Sequence, residues 1–199
     1  MIVDEWGTWY DVEEGTNPGF LYQQNTMRDA IVAGLTLNIF NKHSDRIRMA
    51  NIAQTINVLQ AVALTDGEDM LLTPTYYIFK MYKDHQENTL LGSYITTPDL
   101  SEKATLPKLI ESASVKEDGT IIATIVNTSA DEAAEIHCQI ADFNLKELSA
   151  EILTGEIHDY NSFENKNVVG TKAFSDYELL ADGFKTTIPP CSIAKFIIK

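Results

Sequence analysis

The chain has 199 residues, of which 44% are hydrophobic, and its 15 basic against 29 acidic residues give a formal charge of −14. That is enough apolar material for one large domain or two modest ones. A charge of this sign repels phosphate backbones and anionic lipid heads, so no nucleic acid and no membrane is expected as a partner; neutral ligands are indifferent to it, and acidity by itself serves solubility.

No run approaches the roughly 18 consecutive apolar residues of a membrane span, and the first residues lack the basic and apolar regions of a signal peptide. The compartment is left open, with the cytoplasm slightly favoured. Cys138 and Cys191 are too few and too far apart to define a disulfide framework, and His43, His85, His137 and His158 show no metal-ligand spacing. No metal and no cofactor is expected.

In chain order, "IVDEWGTWYD" (2–11) opens as the tail of a strand at Met1–Val3, with Asp4 and Glu5 where the strand runs out. Alternation places these two acids on opposite sides, so only one of them can face a site. Next, "TMRDAIVAGLTLNIFNKHS" sets Met27, Ala30, Ile31, Gly34 and Leu35 at helical spacing, opened by a Thr26–Asp29 capping box, with Lys42 and His43 in the last turn. "RIRMANIAQTINVL" has the apolar, turn-poor composition of a strand buried on both faces, though its period alone leaves a helix open. "TPTYYIFKMYKDHQ" predicts a second helix, with Thr73 as cap, Pro74 in its first turn, and Ile78, Met81 and Tyr82 on one side.

Strand, helix, strand, helix is the repeat of a parallel sheet with right-handed crossovers. From about residue 90 the rhythm changes. "LIESASVKEDGTIIATIVNTS" is a hairpin around Asp118–Gly119, and short runs follow at "EIHCQIAD", "KELSAEILTG", "GFKTTIPP" and "SIAKFIIK". Their spacing predicts an antiparallel β-sandwich. The fold class is thus α/β followed by all-β, with the boundary between Asp84 and Ser93 (1–88 and 89–199) and no flexible linker, so that the two parts pack closely.

A carboxylate flanked by Trp6 and Trp9 is the equipment of a glycosidase, since flat rings pack against the C–H faces of sugars while a pair of acids does the chemistry. The plainer reading of the same stretch is a solvated turn beside two core tryptophans. The string "DEWGTWYD", followed by "MRDAIVAGLTLNIFNKHSDRIRMANIAQTINVLQA" and "LLTPTYYIFKMYK", closely resembles the C-terminal part of the α-L-arabinofuranosidases of glycoside hydrolase family 51. The resemblance covers about residues 2 to 86.

The resemblance implies a retaining hydrolase built as a (β/α)8 barrel with an appended β-sandwich, of which this chain holds the last two β/α units and the sandwich. Its implied substrates are terminal arabinofuranosyl groups of arabinan, arabinoxylan and their oligosaccharides. Glu5 matches the nucleophile; Trp9 and Gln54 match substrate contacts, and Asn57 is a further candidate for the same pocket. Asp4 by position, and Trp6 beside it, are supporting residues.

The partner acid belongs to an upstream "NE" motif that nothing in this sequence matches. Glu13 and Glu14, in a solvated loop, do not replace it. The chain alone is therefore expected to lack useful activity, and the upstream barrel segment is an implied partner. Family members often assemble as hexamers, and strands cut from a barrel leave open edges, so self-association is a further expectation. The alternative is a non-catalytic β-sandwich module that binds carbohydrate or protein. Against it, the sandwich has no Trp, and its aromatics (Tyr94, Phe143, Tyr160, Phe163, Phe174, Tyr177, Phe184 and Phe196) are scattered as core residues would be.

Overall fold

The computed structural model describes residues 1–101 and 104–199. The first strand, β1 (Ile2–Trp6), leads through a long loop into α1 (Met27–Lys42) and then β2 (Met49–Ile52), which lies parallel to β1 with Ile2 opposite Met49 and Val3 opposite Ala50. Helix α1 starts as the sequence dictates. Thr26 is extended, its backbone N–H donates to Asp29 Oδ2 at 2.8 Å, and its hydroxyl accepts from Arg28 N, which satisfies donors a helix N-terminus otherwise leaves open.

Two expectations are corrected here. The stretch expected as a strand buried on both faces forms only the four-residue β2, none of whose residues is buried. Among the described residues β2 pairs with β1 alone, and the chain turns away at Ala53. The simple strand–helix–strand–helix order is also interrupted, because a hairpin of β3 (Ala63–Asp66) and β4 (Asp69–Leu72) stands between β2 and α2 (Pro74–Tyr82). The second helix has Thr73 at its N-cap and Pro74 in its first turn, where the missing N–H costs nothing.

A short 3-10 turn, Lys83–His85, leads to the antiparallel part. Its strands are β5 (Thr89–Leu91), β6 (Asp99–Ser101), β7 (Ala104–Pro107), β8 (Leu109–Val115), β9 (Ile121–Asn127), β10 (Ala134–Gln139), β11 (Leu148–Thr154), β12 (Lys172–Phe174), β13 (Tyr177–Leu180), β14 (Gly183–Ile188) and β15 (Ser192–Ile198). Six of them form one sheet in the order β12-β11-β15-β9-β8-β5, three form a second, β10-β14-β13, and β6 pairs with β7. The expected β8–β9 hairpin is present, running from Leu109 opposite Asn127 to Val115 opposite Ile121, with the Asp118 carboxylate accepting from Thr120 N to close its turn.

The two sheets face each other over a core that includes Ile125, Ile152, Ala194 and Phe196 from the larger sheet and Ile136, Phe184 and Ile188 from the smaller. Phe184 and Phe196 meet at 4.9 Å between ring centroids. The opposite face of the six-stranded sheet is covered by α1 and α2, and one continuous cluster joins Met27, Ala30, Ile31, Ile78 and Met81 of the helices to Val126, Leu153 and Ile193 of the strands. The larger sheet is therefore the middle of three layers. The close packing expected of the two parts takes the form of this shared core. Gly34 marks the tightest approach: a methyl there would stand 3.1 Å from Val126 Cγ2 and 3.2 Å from Ile193 Cγ1.

Beside that apolar contact the helix–sheet interface is polar and fully engaged. His85 lies between the Ser114 and Thr124 hydroxyls at 2.8 and 3.1 Å, and Asn38 Oδ1 accepts from Ser112 and Thr124. Lys195, on a central strand, reaches both Asp84 and Glu151 at 2.5 and 2.6 Å, as a buried ammonium must.

Candidate active site

The carboxyl ends of parallel strands are where α/β folds place their ligands. Here β1 ends at Glu5–Trp6 and β2 ends at Ile52. The ladder continues one step further, with Ala53 N donating to Trp6 O at 2.9 Å, so that Gln54 leaves its strand beside the end of β1. Glu5 and Gln54 are both exposed at these adjacent ends, and the Ala53–Gln54 peptide is cis.

The expected alternation of Asp4 and Glu5 does not hold. Between the Val3–Ala50 and Trp6–Ile52 pairs, β1 advances three residues while β2 advances two. Such a bulge inserts an unpaired residue and re-aims the side chains around it. Asp4 and Glu5 are accordingly both exposed.

The two tryptophans part company. Trp6 is half-buried, edge-on to Phe40 of α1 at 5.4 Å and 6.1 Å from Phe79 of α2, so it anchors the strand to the helices and offers no open face beside the carboxylate. Trp9 is 69% exposed and retains a free ring. Asn57 is also committed elsewhere: its amide donates to the Thr65 carbonyl and hydroxyl at 3.2 and 2.9 Å, and its Oδ1 accepts from Thr65 N at 2.8 Å. It ties the loop after β2 to β3. Glu13 uses its carboxylate to accept from Gln24 N at 3.0 Å, and Glu14 is exposed in the same loop.

The loop that follows Glu5 and carries Trp9 is held by a set of buried polar residues with little signal in the sequence. Thr8 N donates to Gln60 Oε1 at 2.8 Å, and the Thr8 hydroxyl makes a short hydrogen bond to Asp29 Oδ1. Gln23 donates to the Thr8 carbonyl and accepts from Tyr10 N at 2.9 Å. Gln60 in turn donates to the Asp29 carbonyl at 2.7 Å. Gln23, Asp29 and Gln60 are almost completely buried, and they come from the loop before α1, the first turn of α1 and the loop after β2. The backbone at Gly7, with φ of +136°, passes so close to Gln60 that a Cβ would sit 2.9 Å from its Oε1. Residues 7 to 10 are thus fixed from three sides.

The only sequence signal for this network was Asp29 as a capping residue; its second oxygen, bonded to Thr8, carries the connection to the site. Tyr10, next along the loop, has the Arg28 guanidinium of α1 3.5 Å from the centre of its ring, and burial pushes its phenol above the ordinary pKa, with Arg28 opposing. Among the described residues no group of three or more His, Cys, Asp or Glu side chains could hold a metal ion. Cys138 and Cys191 are free thiols.

The profile of the α-L-arabinofuranosidase C-terminal domain family matches residues 4–192, and the chain belongs to that family. It is 46% identical over 196 residues to an intracellular exo-α-L-arabinofuranosidase of Bacteroides ovatus, a match covering 97% of this chain and 38% of that protein. It superimposes on the crystal structure of the glycoside hydrolase family 51 arabinofuranosidase of Xanthomonas axonopodis pv. citri with a TM-score of 0.96 and 40% identity, covering all of this chain and 41% of that one. An arabinose complex of the Thermotoga maritima α-L-arabinofuranosidase shares the fold at a TM-score of 0.84 and 24% identity, with 98% of this chain and 42% of that one covered. The chain spans about two fifths of the length of these relatives.

Proposed function

We propose that the chain is the C-terminal part of a retaining α-L-arabinofuranosidase that removes terminal arabinofuranosyl groups from arabinan or arabinoxylan, with Glu5 as nucleophile. In this reading β1, α1, β2 and α2 are the last two β/α units of a (β/α)8 barrel occupying residues 1–88, and residues 89–199 are the appended sandwich. The ionised Glu5 carboxylate attacks the anomeric carbon while a partner acid protonates the departing oxygen; water, deprotonated by that same partner, then cleaves the arabinosyl ester. The two carboxyls stand about 5 Å apart in such enzymes.

The observation that carries the reading is the exposed Glu5 on a bulge at a parallel strand end beside Gln54, in a chain so similar to a named exo-arabinofuranosidase. Trp9 and Gln54 are the substrate contacts it assigns, Asn57 holds their loop, and Asp4 and Trp6 support Glu5. Glu13 is occupied by Gln24 and is no substitute acid. The partner acid must come from barrel sequence upstream of β1, so the 199 residues alone are inactive. Glycan and upstream barrel are its partners, assembly as a homo-oligomer and a cytoplasmic location follow the same reading, and no cofactor is required.

The test joins the chain to the upstream barrel portion of a family relative and treats it with an activated 2-fluoro-arabinofuranosyl donor, which forms the ester but hydrolyses slowly. Mass spectrometry is expected to find the label on the peptide holding Glu5, and to lose it in Glu5→Ala. A label on any other residue overturns the assignment. Turnover of an aryl α-L-arabinofuranoside by the unjoined chain, abolished in Glu5→Ala, overturns its inactivity.

A further inference from the structure

Between the loop that follows β1 and the 155–161 turn of the sandwich lies an open cleft of about 380 Å3. Tyr10, Asp11 and Glu13 line it from the loop, and Arg28 from the start of α1. The sandwich contributes His158 and Tyr160. Of these residues only Glu13, His158 and Tyr160 drew notice in the sequence, and none as part of a cleft, because the cleft exists only where two distant segments meet.

The cleft is preformed. Met27 N and Arg28 N donate to the carbonyls of Asp159 and Ile157, both at 2.9 Å, which clamps the turn to the head of α1. Tyr10 is held by Gln23 and covered by the Arg28 guanidinium, and Glu13 is held by Gln24 N. Arg28 Nε is buried without a hydrogen-bond partner. Tyr160, 42% exposed, and His158 remain free to meet a ligand.

Its size falls within the range of small-molecule sites, roughly 300–1,000 Å3. Its chemistry is that of a neutral, hydroxyl-rich ligand: phenol and imidazole rings give flat faces with polar tips, and carboxylates accept from hydroxyl groups. Two carboxylates against one guanidinium, in a chain of charge −14, disfavour an anionic sugar. Tyr10 is five residues past Glu5, so the two lie no more than about 18 Å apart. If Glu5 is the nucleophile of an exo-acting enzyme, only one sugar lies on its non-reducing side, and every further sugar belongs to the leaving group.

We propose that this cleft binds the leaving-group side of a neutral arabinose-containing chain, with Tyr160 and His158 of the sandwich contacting a sugar beyond the one that is cleaved. The inference rests on the function proposed above, and it gives the sandwich a part in choosing the substrate as well as bracing the helices.

The test titrates the isotope-labelled 199-residue chain with α-1,5-linked arabinotriose and follows amide shifts by NMR, with a trimer of galacturonic acid as the anionic control. Saturable shifts at Tyr10, Arg28, His158 and Tyr160 are expected with arabinotriose only, and Tyr160→Ala or His158→Ala, both at exposed sites, should weaken binding at least about five-fold. No saturable binding, or an affinity unchanged in both variants, overturns the proposal. Labelling of Glu5 in the joined enzyme without arabinotriose binding here overturns the subsite alone. Arabinotriose binding without labelling overturns the nucleophile, and with it the leaving-group assignment.

Discussion

Strand β15 has six of its seven residues buried, whereas β1 has none of its five. Parallel strands are ordinarily the buried ones and antiparallel strands the half-solvated ones. Here the order is reversed, since the antiparallel β15 lies in a sheet with helices on one face and a second sheet on the other, while the parallel β1–β2 pair has Trp6 as its main anchor. Within these 199 residues coverage, and not strand direction, sets which strands are buried.

That contrast can be broken at its strong end first. Phe184→Ala removes a fully buried ring that packs on Phe196 of the larger sheet and should cost about 4 kcal/mol in denaturant unfolding, with both helices lost in the same transition because they cover the other face of that larger sheet. Helical signal that outlasts the strand signal would show the layers to be independent.

A second test lies in acid. His85 is buried between α1, α2 and the sheet, and burial holds its pKa down at about 4, with Asp84 pulling it up and Lys195 pushing it further down. The unfolded chain takes up that proton near the ordinary value of about 6.5, so the stability it confers is complete above that pH and is lost as the pH falls toward 4. The expected loss is about 3 kcal/mol, and His85→Gln should flatten that part of the curve. At the weak end, Ile2→Ala or Met49→Ala, at side chains 57% and 53% exposed, should change stability by less than about 0.5 kcal/mol. A larger effect would show that the parallel pair is buried in an assembly of several chains.

The same contrast marks where sequence was sufficient. Helix α1, helix α2 and the β8–β9 hairpin were legible because each rests on local signals: a capping box, a proline in the first turn, an Asp–Gly turn. The β3–β4 hairpin carries Asp66–Gly67 between two apolar runs, the same signal, but its four-residue strands were too short to separate from the run before them. The bulge at Asp4 and Glu5 could not be seen in either strand, since it is a property of their pairing. Nor could the direction of Trp6, or the Thr8–Gln60 contact, which joins residues 52 positions apart. Candidate site residues were named from motifs, but the groups that hold them in place were not, because those come together only through the fold.

The position of β15 in its sheet carries a consequence for how the chain is made. β15, made well after β9 and β11, lies between them, near the middle of the sheet that the helices and the second sheet cover. Until Ser192–Ile198 have left the ribosome, β9 and β11 lack their shared neighbour and α1 and α2 lack part of the surface they will cover. Such long-range pairing is slow and leaves strand edges open in the meantime. A nascent chain stalled before Ser192 is therefore the form most in need of a chaperone.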